Sequence, residues 1–398
     1  MKKVVYLLFC QLLICAETSA GEVQLNAYLS QGAVMVEGSE FFTGDDDSSL
    51  KLSEATLTAS WRALDALRFA GALGVRQRGN LTEEHIQADY LFAELMFPVA
   101  EGAIGVRLGR VKNEVGFYSS TRDVPFSRPG IFLPQSIYAD YYRDAQLHIN
   151  GGDVVGRHFV LDGQLEWHLS GGQLHVTEDL TQNSLGTTAA GQFDSDYFYA
   201  FDLDFRTDNL RLGASLYQSR LGYNPKSAVM PELAMGISVD TPQNLPGNIE
   251  LFNYVLSAQY RWQQFELTAE YLRGVRTLSG MMAKDWEIEE PNRGFYIDSR
   301  WLVNDALDLF VRYDDAVDNL SDPGGDGLAV IGNPDYFGYS RDWSTGLQWR
   351  ITPNWLLSAE YHHIEGASWV PPILTKDPLT QDKYWTLVAI QLAYRMQW

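Results

Sequence analysis

Seven histidines, His85, His148, His158, His168, His175, His362 and His363, are the side chains that could carry acid–base or metal chemistry in this sequence. A hydrolase needs such a ring within hydrogen-bond reach of a serine and an acid. None of the seven stands in a catalytic motif. His362 and His363 are neighbours on a stretch that reads as a strand. Their rings therefore point to opposite faces and cannot easily share a metal. Both cysteines, Cys10 and Cys15, lie in the first twenty residues, inside what reads as an export segment. The processed chain then has no disulfide, no thiolate metal site and no cysteine nucleophile. No catalytic residue, cofactor or metal ligand set is expected.

Charges of both signs are the more informative group. In and just after the stretch 111–142, Lys112, Glu114, Arg122, Asp123, Arg128, Asp140, Arg143 and Asp144 are interleaved with apolar residues and with Pro125, Pro129 and Pro134. Opposed charges across a water-filled passage create a transverse field that tunes ion selectivity. A second set sits at alternating positions along strand-like runs. Its basic members are Arg76, Arg107, Arg261, Arg300, Arg312 and Arg350, and its acidic members Asp202, Asp204, Glu266, Glu270, Asp298, Asp308 and Glu360. These read either as the two charged sides of a pore or as mutually paired charges that keep a lumen wet. Asp45-Asp46-Asp47 reads as solvated loop acids, with divalent-cation binding as the alternative.

The elements that would position these charges are read from period-2 alternation. Counting back from the C-terminus, Trp398, Met396, Tyr394, Leu392, Ile390 and Val388 are all apolar or aromatic, and the interleaved residues are mostly polar or small. One face of this strand meets lipid and the other a polar lumen. The same pattern recurs through the chain. From Phe252 to Trp262 the outward set is Phe252, Tyr254, Leu256, Ala258, Tyr260 and Trp262. A slip of one residue would turn Arg261 to lipid, at a cost of about 2–4 kcal/mol near the midplane, so one face is strongly selected.

The count is sixteen strands, beginning near residues 23, 53, 67, 86, 102, 143, 159, 196, 210, 252, 265, 293, 307, 341, 355 and 384, with fourteen or eighteen as alternatives. Gly151 to Arg157 also reads as an extended turn. Short links (64–66, 98–101, 207–209, 263–264, 304–306, 352–354) alternate with long ones (37–52, 111–142, 171–195, 218–251, 274–292, 315–340, 365–383), with 78–85 as a brief member of the long set. This is the asymmetry of a transmembrane antiparallel up-and-down β-barrel, an all-β fold, with periplasmic turns and outer loops. The third outer loop is then 111–142. Its apolar residues suit a loop folded back into the barrel to narrow the pore. A surface loop or subunit contact is the alternative.

Residues 1–20 read as a cleaved signal peptide: Lys2 and Lys3, an apolar run from Val4 to Ala16, then Thr18-Ser19-Ala20. Leu12-Leu13-Ile14-Cys15 is a poor lipidation box because Ile14 is bulky. Residues 21–398 form one barrel domain. Removal of two lysines and one glutamate leaves 28 basic and 50 acidic residues, a net charge of −22. Such a surface repels nucleic acid, and taken alone it points to cation preference. No run of 18 apolar residues follows the leader, so helical spans are not expected.

The end of the chain resembles the C-terminal signal of Gram-negative outer-membrane proteins, with Trp398 in place of the commoner Phe and with Met396 and Tyr394 before it. That likeness implies recognition by the barrel-insertion machinery. Gly109-Arg110-Val111-Lys112-Asn113, Thr121-Arg122-Asp123-Val124-Pro125-Phe126 and Leu133-Pro134-Gln135-Ser136-Ile137-Tyr138 together resemble a segment of porin-like proteins of proteobacteria. The barrel as a whole looks like the general porin superfamily. The loop lacks the short acidic motif of enterobacterial porins. The resemblance implies an outer membrane rich in lipopolysaccharide, passive diffusion of ions and small hydrophilic solutes, and often a homotrimer. The rival classes are a receptor or adhesin acting through its long loops and, further off, a barrel hydrolase.

Overall fold

The computed structural model describes residues 22–398 apart from 45, 144–146, 177–190, 226–245, 282, 284, 331 and 371–377. The leader at 1–20, Asp45 and Asp144 therefore lie outside the described residues. The chain forms β1 (Val23–Glu37), β2 (Ser48–Arg62), β3 (Leu67–Arg78), β4 (Thr82–Val99), β5 (Gly102–Lys112), β6 (His148–Val160), β7 (Gly163–Leu174) and β8 (Gly191–Arg206). It continues with β9 (Leu210–Pro225), β10 (Gly247–Trp262), β11 (Phe265–Ser279), β12 (Glu287–Leu302), β13 (Leu307–Val317), β14 (Tyr339–Thr352), β15 (Trp355–Gly366) and β16 (Tyr384–Gln397). Each strand pairs with its sequence neighbour, and β1 pairs antiparallel with β16, which closes a sixteen-stranded barrel. Closure leaves no strand edge without partners, as a bilayer requires.

Alternation sets the register. On β10, Leu256 is 53% exposed while its neighbours Val255 and Ser257 are 0% and 5% exposed. On β16, Val388, Ile390 and Leu392 face out, and Ala389, Gln391 and Ala393 are buried inward. Aromatic pairs ring both ends of the outer surface. Trp61–Phe69 (5.6 Å) and Trp355–Tyr394 (4.6 Å) lie near the short turns, and Tyr313–Trp343 (4.9 Å) lies toward the loops. These are the positions where amphipathic rings bridge hydrocarbon and headgroups.

Gly151 to Arg157 belongs inside β6 rather than to a turn. The reversal comes at 161–162, where Leu161 and Asp162 both take positive φ (52° and 59°), the backbone of a tight two-residue hairpin. Several strands begin away from their expected starts, as at 48 for β2, 148 for β6 and 163 for β7. The third long connection is 113–147, because Val111 and Lys112 stay in β5 and Arg143 is drawn away by a wall carboxylate.

The interior is divided along the barrel axis. Near the loops, part of the inward wall is apolar and packs with loop residues, beside buried polar positions such as Arg76, Arg78, Asp314 and Asp342. Val34, Leu52, Ile364 and Trp385 meet Phe41, Phe42, Phe132 and Trp369 in one cluster. Val111, Ile149, Phe198 and Tyr223 form a second, and Val255, Leu272 and Tyr296 join Leu133 and Ile137 in a third. Toward the short turns the inward residues are polar and charged. The polar lumen expected from the last strand is thus interrupted on the loop side by apolar clusters.

Candidate functional site

The site is the loop 113–147 seated inside the barrel. Its main chain is gripped by side chains that alternation turns inward. On β9, Ser215 accepts the Gly116 N–H at 2.8 Å. On β11, Glu270 accepts the Phe117 N–H at 2.8 Å and the Tyr138 hydroxyl, as well as Tyr296 at 2.7 Å and Ser257. On β13, Asp314 accepts Gln135 N–H at 2.7 Å and Ser136 N–H at 3.3 Å. On β15, Glu360 accepts the N–H groups of Ile131 and Phe132.

The wall also donates. Arg312 reaches Phe132 O at 3.0 Å, Gln348 reaches Arg128 O at 3.1 Å, and Arg300 bonds Pro129 O. Gly294 on β12 lets the loop backbone approach: a Cβ there would stand 2.2 Å from Ser136 O. A buried main chain must have its polar groups satisfied, and these contacts do that in a loop whose only regular pieces are single 3-10 turns at Ser119–Thr121, Pro125–Ser127 and Asp140–Tyr142 among its described residues.

A second grip uses charge. Glu54 on β2 is the hub: it bonds Arg128, Arg143 at 3.1 Å and Arg78 at 3.4 Å. Arg78 reaches Asp140 at 2.7 Å, and Asp140 also takes Arg122 at 3.2 Å. Lys112 pairs with Asp123 at 2.8 Å and lies over the Tyr90 ring. Burial alone would push the Asp140 carboxyl up. Arg78, with Arg122 and Arg143, outweighs it and holds the group below its ordinary 3.8. Asp123 follows the same logic, burial against Lys112, and is also lowered.

A carboxylate with a depressed folded pKa contributes stability that is complete above its ordinary pKa and lost as pH falls through the folded one. The part of the loop's seating owed to Asp123 and Asp140 should therefore persist at pH 5 and fail only well below about 3.8. Cleavage of the loop by pepsin across a falling pH series measures this. Cleavage that begins between pH 6 and 5 would contradict it.

The expected pore charges are placed as follows. Arg122 and Arg128 are 1% and 4% exposed, and Asp123 is equally buried. They fasten the loop in buried ion pairs. The wall supplies the opposite charge for Arg128 and Asp123, through Glu54 and Lys112, and the loop's own Asp140 supplies it for Arg122. Glu114 is half-buried and close enough to act electrostatically on Arg107 and His168.

The wall residues mostly pair. Arg76 bonds Asp89, Arg107 bonds Glu94 (2.7 Å) and Asp153 (3.2 Å), Arg312 bonds Asp298 (3.0 Å), and Arg350 bonds Asp308 (3.0 Å). Arg300 lies 3.8 Å from Asp308. Glu266 stands opposite both Arg261 and Arg300 in register, and Arg261 is exposed. Trp398, Met396 and Tyr394 end the chain at the short-turn end, beside Leu25, Ala27 and Leu29.

Glu54, Arg78 and Asp314 were not singled out by sequence reasoning. A signal exists for Glu54: it is the one acid in the inward set of β2, between Leu52 and Thr56. Two histidines are each held between carboxylates. His168 bonds Asp153 (2.9 Å) and Glu166 (3.3 Å), and His362 bonds Asp342 (2.7 Å) and Glu360 (3.2 Å). Both ring nitrogens are engaged, so neither ring has a hydroxyl to activate.

No family model matches the sequence, and no curated protein matches it. The fold does match solved structures. Outer-membrane expressed OmpT of Vibrio cholerae aligns over 96% of this chain and 99% of its own, with a TM-score of 0.58 and 11% identity. The anion-selective porin from Comamonas acidovorans covers 95% and 100%, at 0.56 and 11%. The outer membrane channel DcaP of Acinetobacter baumannii covers 95% and 98%, at 0.55 and 10%. The chain has the architecture of these outer-membrane barrels over nearly its whole length.

Proposed function

We propose that this chain is an outer-membrane diffusion channel for ions and small hydrophilic solutes. The observation that carries the reading is the third loop, gripped by its own backbone inside a barrel whose other half is lined with charge. A sixteen-stranded barrel is wide enough for a lumen, so an inserted loop sets how much can pass. A receptor or adhesin would have its apolar loop residues available outside. Here Ile131, Phe132 and Leu133 are buried within.

Under this reading the short turns face the periplasm and the long connections face outward. The exposed apolar band between two aromatic rings meets lipid, and lipopolysaccharide surrounds the loop end. Export by the leader at 1–20, insertion by way of the strand ending at Trp398, and assembly as a homotrimer belong to the same proposal. Catalysis forms no part of it.

Conductance of refolded protein in a planar bilayer tests the reading. Discrete channels are expected, with a several-fold larger unit conductance when residues 117–138 are replaced by a short Gly-Ser linker. Silence from both proteins, or lipase or protease activity in place of current, would overturn it.

A further inference from the structure

The inward wall at the short-turn end is rich in arginine although the chain is acidic. Inward positions beside the turns are occupied repeatedly by arginine. Arg62 faces Arg68 across β2 and β3, and Arg206 faces Arg211 across β8 and β9. Arg157, Arg261, Arg350 and Arg395 continue the belt on β6, β10, β14 and β16. The carboxylates among them are Glu94, Glu166, Asp204, Glu266 and Asp308. Among these inward wall positions eight arginines stand against five carboxylates, and Glu94 and Asp308 are each shared with a further arginine. The exposed acids of this end, Glu22 before β1 and Asp65, Glu101, Asp162, Asp208 and Asp305 on the turns, lie off the strands that form that wall.

Burial sharpens the imbalance. Arg206 and Arg350 are 53% and 44% exposed, whereas their partners Asp204 and Asp308 are 10% and 4% exposed. Arg62 and Arg261 are exposed and make no salt bridge among the described residues. Water in this vestibule therefore meets guanidinium groups, with the acids tucked behind them. Like charges placed directly opposite weaken a sheet. A facing arginine pair does, however, offer two planar forks to an oxyanion.

The belt begins directly beneath the seated loop. Arg211 lies over the Phe117 ring at 4.0 Å and Arg395 over the Phe126 ring at 4.7 Å. A solute that passes the loop has the belt next to it. The acids that give the chain its net charge of −21 include loop residues such as Asp46, Asp47 and Asp326 at the opposite end. The Debye length is about 8 Å at physiological salt and the apolar band of such a barrel about 25 Å tall. Outer-loop acids are thus screened from the vestibule, and the belt is the charge that lines its inward wall.

We propose that this vestibule binds and selects small oxyanions, solutes bearing carboxylate or phosphate groups, so that the channel prefers anions although the chain is acidic. The proposal rests on the diffusion-channel reading for its effect on current, but binding at the belt is measurable without current. In a KCl gradient the reversal potential should show chloride to be several-fold more permeant than potassium. The double variant R62E/R261E, at two exposed positions free of salt bridges, should lower that ratio several-fold.

Equilibrium titration of the refolded protein with inorganic pyrophosphate in low salt should show binding that the same variant weakens about tenfold. Potassium preference in the unaltered protein, or a ratio and an affinity unmoved by the variant, would overturn the anion site. Absence of current together with intact pyrophosphate binding would sink the channel and leave the site standing.

Discussion

Replacing Glu54 with alanine is expected to unseat the third loop while the barrel stays closed. Glu54 is the shared acceptor of Arg78, Arg128 and Arg143, all nearly inaccessible to water. Removing one partner of a buried ion pair costs about 3–5 kcal/mol, because the remaining charge is left uncompensated. Three arginines share this one carboxylate, so relief comes by moving the mobile partner. Arg128 and Arg143 belong to the loop, and their exit to water is the low-energy response. The readouts are trypsin cleavage after Arg122 and Arg143, both now buried, and a several-fold rise in unit conductance. Unchanged strand content by circular dichroism would show that the barrel persists. A variant whose loop stays protected and whose conductance stays low would refute the role of Glu54 as hub.

Glu270→Ala should release the loop from the opposite wall. Its carboxylate accepts from Ser257, Phe117 N–H, Tyr138 and Tyr296, and among the described residues it is the acceptor of the Phe117 N–H. Each buried donor left without an acceptor costs about 1–3 kcal/mol, and such costs are not additive within one network. The loop segments around Phe117 and Tyr138 should therefore loosen together, and conductance should rise as it does for Glu54→Ala. The double variant should exceed neither single variant by much, since one loop can be freed only once. Fully additive conductance gains would mean that the two carboxylates hold independent structures.

Much of this architecture was legible because lipid imposes a simple code. Every second residue of β10 and β16 must be apolar, and a slip exposes arginine, so register and strand number follow from pattern alone. The loop-side half of the interior was harder to read because many of its inward positions are apolar too. In Tyr197-Phe198-Tyr199-Ala200-Phe201 the alternation disappears, and Trp385 and Leu387 break it again at the top of β16. Loss of alternation at one end of a strand is itself a mark of packing on both faces. The grip on the loop was not legible. Glu54 meets Arg128 across 74 positions and Asp314 meets Gln135 across 179, and nothing local to either residue announces its partner. That the loop is rich in charge was plain, but which charges face water depended on the path of the chain.

The wall holds the loop at Phe117, Pro129, Ile131, Phe132, Gln135 and Ser136 through main-chain groups, which every amino acid but proline supplies in full. A fastening of this kind is blind to the identity of the fastened residue. Descendants of such a gene can therefore trade loop side chains other than those that meet Glu54 and Glu270, and with them what the passage admits, without redesigning the seat. Variation should collect in the loop and constancy in the inward face that grips it.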